Sequence, residues 1–71
     1  MAAQRLSQWA ALRCKEPQFQ RFLDVKTEVS AAHVLRRKVG VKSRSELDTD
    51  PDAAQRFHSL IRIPFSNYLN S

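Results

Sequence analysis

One cysteine and two histidines could in principle act together as nucleophile and general base: Cys14, His33 and His58. Nucleophilic catalysis needs the thiol and an imidazole within hydrogen-bond reach of each other, and no local motif brings these residues together. A Gly-rich phosphate loop is excluded because the chain has one glycine. Small cysteines are often core residues, so we expect Cys14 to be buried or half-buried and both histidines to lie at the surface or its boundary. The sequence predicts a protein that is not an enzyme and holds no cofactor.

Metal ligands are also sparse. A closed zinc site needs four ligands, more than one cysteine and two histidines supply. The acidic residues of the 46–52 segment alternate with other residues in a pattern similar to a calcium loop, but the glycine of an EF-hand is missing and Pro51 stiffens the centre. Helix capping explains two of them without a ligand. We expect no metal site among these acids, which are Glu46, Asp48, Asp50 and Asp52.

The strongest functional signal is a run of positive charge around the only glycine, Gly40. No acidic residue interrupts its five cations, which we call the basic corner: Arg36, Arg37, Lys38, Lys42 and Arg44. A compact patch of this kind can contact several phosphates. It can also be a solvated helix end, since cations in a last turn interact favourably with the helix dipole. Both interpretations stay open here, and the basic corner is the predicted binding site for protein or nucleic acid.

Charge is unevenly distributed along the chain, whose net charge is +5. Residues 1–45 carry ten basic and three acidic side chains (+7), whereas residues 46–71 carry two basic and four acidic ones (−2). The molecule is therefore expected to be electrically bipolar. Its positive end is suited to nucleic acid or to an acidic protein surface.

Apolar spacing predicts the helices that position these residues. A first helix is expected from Gln4 to about Cys14, with Arg5 and Arg13 toward solvent and with Leu6, Trp9, Ala10 and Leu12 at helical spacing. Pro17 suits the first turn of a second helix that ends near Asp24 or Val25 and aligns Phe19, Phe22 and Leu23.

The third helix has clear signals at both ends. Thr27 is the expected N-cap, and Gly40 is the expected left-handed residue after the last turn. Placing residues at 100° intervals puts His33, Arg36 and Arg37 on the outer face, with Lys38 at its border. The buried face then consists of Ala31, Ala32, Leu35 and Val39.

Two further helix starts follow. Ser43 and Glu46 have the spacing of a capping box, which predicts a short helix from Arg44 to about Asp48. Thr49 or Asp50 then caps another helix with Pro51 in its first turn. Its predicted buried face is Ala53, Ala54, Phe57, Leu60 and Ile61, with Arg56 and Arg62 outside. Pro64 is expected to interrupt it, and a final turn places Phe65, Tyr68 and Leu69 against the core or a second copy.

Together these elements predict an all-α protein: one domain over residues 1–71, built as a compact orthogonal bundle of four to five short helices. A lone cysteine and the absence of a signal peptide favour the cytoplasm, and no apolar run approaches the roughly 20 residues that span a bilayer. The order of third helix, glycine turn and short helix is weakly similar to a helix-turn-helix.

Several segments resemble small proteins encoded in bacteriophages and prophages of proteobacteria. They are Trp9, Leu12 and Cys14; residues 17–23; residues 43–48; and Phe57, His58, Pro64 and Phe65. Such proteins often lie among recombination, replication or counter-defence genes. The resemblance implies a phage accessory protein in the cytoplasm of a bacterial host, where it binds a host or phage complex. It carries over no functional residues.

The leading hypothesis is a non-catalytic module that binds a protein component of a host or phage complex acting on nucleic acid, such as a nuclease, recombination or defence assembly, and inhibits or redirects it. The alternative is direct DNA or RNA binding through the basic corner. A third possibility is a self-associating structural protein, for which a homodimer is the simplest form. No membrane partner is expected.

Overall fold

A computed structural model of the chain, which describes residues 5–70, contains five helical rods and no strand within that range. The first four are α1 (Leu6–Cys14), α2 (Pro17–Phe22), α3 (Glu28–Val39) and α4 (Glu46–Thr49). The fifth joins α5 (Pro51–Phe57), a π-helical segment (His58–Arg62) and α6 (Ile63–Leu69) without a break. The predicted all-α bundle of short helices is confirmed. The expected helix start at Gln4 lies outside the described residues.

Local capping signals in the sequence fix most of the helix ends. The Thr27 hydroxyl accepts a hydrogen bond from the Ser30 N–H at 3.0 Å, as the N-cap of α3 should. The Asp50 carboxylate does the same for the Asp52 N–H at 3.0 Å, and Pro51 occupies the first turn of α5. Both predicted helix starts are therefore confirmed. The sequence could predict them because each depends only on residues within one turn of the helix end.

The beginning of α4 differs from the prediction. Only half of the expected capping box forms: Glu46 Oε2 accepts from the Ser43 N–H at 2.9 Å, but the Ser43 hydroxyl accepts from Ser45 rather than from Glu46. The Ser43 hydroxyl thus accepts a hydrogen bond inside the short turn that precedes α4 and does not cap the helix itself. As a result the helix starts at Glu46, two residues later than predicted.

An aromatic cluster forms the centre of the core. Trp9 of α1 meets Phe19 of α2, Phe57 of α5 and Phe65 of α6 edge to face, with ring centroids 6.0, 5.5 and 6.3 Å apart. Phe19 and Phe65 also meet each other edge to face at 4.9 Å. These are the preferred geometries of aromatic pairs, so one cluster connects three of the five rods.

Arginine side chains cover the indole of Trp9. The guanidinium carbons of Arg13 and Arg62 each lie 5.4 Å from the ring centroid, within the range of cation–π attraction. Both residues were expected to point to solvent. They are half-buried instead, because the amphipathic arginine side chain packs its apolar stem and planar head on the aromatic surface.

The π-helical segment explains which face of the last rod is buried. In an α-helix each four-residue step rotates a side chain by about 40°, so Phe65 would lie about 120° away from Ala53. A turn with i→i+5 bonding, here Ile63 N–H to His58 C=O, accommodates an extra residue and cancels most of that rotation. Consequently all four residues at this spacing are buried: Ala53, Phe57, Ile61 and Phe65.

Two predictions for this rod are wrong for the same reason. Leu60 was placed on the buried face, but the widened turn moves Ile61 into that position and leaves Leu60 46% exposed. Pro64 was expected to interrupt the helix. The chain stays helical through it, because the wider turn relieves the demand for a proline N–H and the clash of its ring with the preceding turn.

A long-range contact caps α1. Asp48 of α4 accepts hydrogen bonds from the hydroxyl and the N–H of Ser7, the latter at 3.1 Å across 41 positions of sequence. The Ser7 N–H is one of the first four amides of α1, which have no partner within the helix. These hydrogen bonds, from the Ser7 side chain first and its backbone second, lower the pKa of Asp48 below its usual value.

The π-helical segment predicts unequal effects for two adjacent apolar residues. Ile61→Ala should reduce the free energy of unfolding by about 2–5 kcal/mol because it leaves a cavity in the core. Leu60→Ala should change it by less than about 0.5 kcal/mol because the side chain is largely in water. Urea unfolding followed by circular dichroism compares the two, and equal losses would indicate a regular α-helix instead.

The Asp48–Ser7 contact predicts a pH dependence. A carboxylate whose pKa is lowered by folding adds stability above the pKa that it has in the unfolded chain, and this contribution disappears as pH falls through the folded value. Wild type should therefore lose stability in acid more steeply than Ser7→Ala. Urea midpoints measured for both proteins from neutral pH downward test this, and parallel curves would exclude the contribution of Asp48.

Candidate functional site

The basic corner lies where α3 ends and the chain turns toward α4. Arg37, Lys38 and Lys42 are exposed, whereas Arg36 and Arg44 are half-buried. Arg37 and Lys38, together with Val34, line an open depression of about 290 Å³. The five predicted residues therefore divide into three cations that are free to contact a partner and two that also pack against the protein.

Gly40 produces the turn at the centre of the basic corner. Its φ of 78° is left-handed, and its N–H and that of Val41 both donate to the Arg36 carbonyl, at 2.8 and 3.0 Å. Val41 is buried and closes the turn, as expected of this kind of helix end. The bend places Lys42 just beyond the helix end that carries Arg37 and Lys38.

Arg56 joins the basic corner from α5, which the sequence did not predict. Its Nε–H donates to the Val39 carbonyl at 2.8 Å, across 17 positions of sequence. A guanidinium at this position satisfies a carbonyl at the end of α3 and meets the negative end of the helix dipole. No local signal indicates this contact, because it depends on how α5 packs against α3.

This arrangement weakens the explanation that the exposed cations serve only to stabilise the end of α3. The Arg36 carbonyl is capped by backbone amides and the Val39 carbonyl by Arg56. Neither Arg37 nor Lys38 takes part in these bonds. Their remaining stabilising role is the general attraction of the helix dipole, which is worth about 0.3–1 kcal/mol at an exposed site.

Most of the acidic residues near the basic corner are occupied by backbone groups. Glu46 Oε2 accepts from the N–H groups of Lys42 and Ser43, at 2.6 and 2.9 Å. Asp48 binds Ser7 of α1, and Asp50 caps α5. The prediction that these acids act mainly as caps is therefore confirmed for Asp50 and, through the Ser43 N–H, for Glu46, whereas the contact of Asp48 with Ser7 was not predicted.

The exposed cations have no ion-pair partner within the described chain. In residues 5–70 the one salt bridge joins Arg13 and Glu16 at 3.1 Å. Arg37, Lys38 and Lys42 make neither a salt bridge nor a side-chain hydrogen bond there. An anionic partner can therefore bind these side chains without first breaking a contact in this part of the protein.

Arg44 has a different environment from the exposed cations. Burial raises the pKa of the Cys14 thiol above its usual value, and the charge and hydrogen-bonding capacity of Arg44 oppose that rise. Arg36 contributes to the same opposition through its charge. These two members of the basic corner thus lie near the core, and substitutions of either would also disturb packing around Cys14.

The residues that could carry catalysis or bind a metal are dispersed. Cys14 is fully buried, as expected, His33 is exposed on α3, and His58 Nδ1 lies 3.2 Å from Arg62 Nη1. Within the described range, no three His, Cys, Asp or Glu residues are grouped closely enough to hold a metal ion.

Comparisons with known proteins identify no relative: no family model matches the chain, and neither the curated proteins nor the solved structures give a significant match. Among residues 5–70, no helix has the length and apolar character required to cross a bilayer. The basic corner is consequently the feature from which a function can be inferred.

The left-handed turn at Gly40 predicts a specific stability effect. Gly40→Ala should reduce the free energy of unfolding by about 1–2 kcal/mol, because a Cβ disfavours this φ, although the Cβ would meet no atom beyond the adjacent backbone within 4 Å. Gly40→Asn should cost less, since asparagine tolerates the left-handed region. Thermal unfolding of the three proteins tests this order, and an alanine variant as stable as wild type would rule out the strain.

Proposed function

We propose that this protein is a non-catalytic binding module that uses its basic corner to attach to an anionic surface on a complex acting on nucleic acid. The observation that carries the proposal is that three exposed cations lie together around the end of α3 and have no ion-pair partner in the described chain: Arg37, Lys38 and Lys42. Complementary charge between two surfaces speeds their encounter and fixes their orientation. A surface that presents charge in this way is suited to binding rather than to chemistry.

The burial of Cys14 supports the non-catalytic part of the proposal. The thiolate is the reactive form of cysteine, and burial raises the pKa of this thiol. At neutral pH the neutral thiol is therefore favoured. His58, the more buried of the two histidines, is engaged with Arg62.

We propose a protein as the partner: a component of a host or phage nuclease, recombination or defence assembly, which this chain inhibits or redirects. The resemblance to small phage-encoded proteins motivates this choice of complex. An acidic patch on such a component would be complementary in charge to the basic corner, and complementary charge fixes the register of a contact. Along the sequence, residues 1–45 carry a charge of +7 and residues 46–71 carry −2, so the basic corner belongs to the strongly positive part of the chain.

Direct nucleic-acid binding is the second candidate, favoured by the same free cations. The version in which α4 enters the major groove has little support, because α4 has four residues, its Leu47 is buried and its Asp48 is bound to Ser7. The remaining version is contact of the basic corner with phosphates, independent of base sequence.

Charge reversal distinguishes these candidates. Partners are captured from a bacterial lysate, with and without nuclease, on three tagged proteins. These are wild type, the double variant Arg37→Glu/Lys42→Glu and the control Lys26→Glu. Lys26 is an exposed cation just before α3, at the opposite end of that helix. A captured protein that survives nuclease and is lost only with the double variant supports the leading proposal.

Titration of labelled DNA and RNA at several salt concentrations tests the second candidate. Contact with about three phosphates predicts that log K falls against log salt with a slope of about −2 to −3. The double variant should bind weakly to every sequence, and Lys26→Glu should bind like wild type. Binding to neither a protein nor a nucleic acid would contradict the proposed function of the basic corner.

A further inference from the structure

The open depression near the end of α3 combines an apolar floor with a cationic rim. It is lined by Val34, Arg37 and Lys38 and has a volume of about 290 Å³. These residues stand at positions i, i+3 and i+4 of one helix, which makes them neighbours on its surface. Val34 is half-buried, whereas Arg37 and Lys38 are exposed. The valine therefore forms the base of the depression, and the two charged groups stand in water at its edge.

Packing holds the floor of this depression in place. Val34 is one of the partly buried apolar residues that pack against the hydrophobic core. Ala31 and Leu35, on either side of it along α3, are fully buried in that core. A floor that is already ordered loses little conformational entropy when a partner binds. The depression is thus formed before any partner arrives.

The rim of the depression is positive and uncompensated. From residue 29 to residue 45 the sequence contains no acidic side chain, and within residues 5–70 neither Arg37 nor Lys38 forms a salt bridge. The guanidinium of an arginine can hold a carboxylate through two parallel hydrogen bonds, and a lysine beside it adds a second positive charge. The rim is therefore complementary to carboxylates that lie close to an apolar group.

This combination favours an acidic protein segment over a nucleic acid as the occupant. An apolar floor adds nothing to contacts with phosphates, for which cations suffice. Single-stranded bases bind mainly by stacking on aromatic side chains, and none of the three lining residues is aromatic. The volume is below the range of about 300–1,000 Å³ that is usual for small-molecule sites. An aliphatic side chain with carboxylates beside it would use both the floor and the rim.

We infer that this depression holds an aliphatic side chain from an acidic segment of a partner protein, whose carboxylates pair with Arg37 and Lys38. The inference rests on the proposed function and narrows it, because it names the chemistry of the partner's contact. Charge complementarity brings the two surfaces together, and the apolar contact selects among acidic segments. Burial of one or two CH₂ groups in the depression would strengthen binding by about four- to fifteenfold.

NMR titration of isotope-labelled protein with two synthetic peptides tests the inference. Both peptides are short runs of glutamate, one with a leucine at its centre and the other with a serine. The leucine peptide should shift the amide signals of Val34, Arg37 and Lys38. It should also bind at least about fourfold more tightly than the serine peptide, since only the leucine buries apolar surface. Arg37→Glu should weaken the binding of both peptides.

Val34→Ser and Val29→Ser form a matched pair of protein variants. Each removes one valine of α3, but Val29 is 78% exposed near the start of that helix and does not line the depression. Val34→Ser should abolish the preference for the leucine peptide and retain the weaker binding that depends on charge. Val29→Ser should behave like wild type. Circular dichroism checks that both variants are folded, and the comparison of the two peptides on wild type depends on neither variant.

Equal affinity of wild type for the two peptides would overturn the inference and leave the proposed function in place, because charge on the basic corner would then suffice. Binding of neither peptide would also overturn it. So would an oligonucleotide that binds at the same amides more tightly than the leucine peptide and is unaffected by Val34→Ser. The proposed function fails separately, if wild type and Arg37→Glu/Lys42→Glu capture the same proteins from the lysate.

Discussion

The edge-to-face contacts of Trp9 hold this fold together. A chain of 71 residues buries only about 60% of its unfolded surface, so few core contacts are available to it. Trp9 is the residue at which α1, α2 and both halves of the last rod meet, through Phe19, Phe57 and Phe65. Two other features of the fold are arranged around the Trp9 ring: the two arginines and the π-helical turn. Arg13 and Arg62 cover its ring, and the turn brings Phe57 and Phe65 to the same side of their rod.

The elements that could be predicted from sequence are those with local causes. Thr27, Gly40 and Asp50 act on backbone groups within one turn, so their roles could be inferred before any packing was known. The long-range contacts had no such signal: Asp48 reaches Ser7, and Arg56 reaches Val39. The π-helical turn did have one. Four apolar residues at exact four-residue spacing, with a proline after the third, do not match a period of 3.6. Assuming a regular helix put Leu60 in the core.

The candidate site was predicted in part. Charge density around Gly40 indicated the basic corner, but sequence spacing treated its five cations as equivalent. Packing separates them, since Arg36 and Arg44 lie close enough to Cys14 to influence its thiol and the others do not. The same packing brings in Arg56, which caps the Val39 carbonyl at the end of α3. Which cations are available to a partner is therefore a property of tertiary structure, and composition alone could not determine it.

The capping of α1 by Asp48 also bears on the order in which the chain folds. A helix of nine residues is too short to be stable alone in water, where about 12–15 are needed. The carboxylate that accepts from the Ser7 N–H in its first turn comes 41 positions later. During synthesis this hydrogen bond therefore forms only after α4 has been made. In the finished protein, the amides at the start of α1 and the docking of α4 should open and close together as one cooperative unit. Hydrogen-exchange protection should therefore change by the same amount for the amides at the start of α1 and for those of α4.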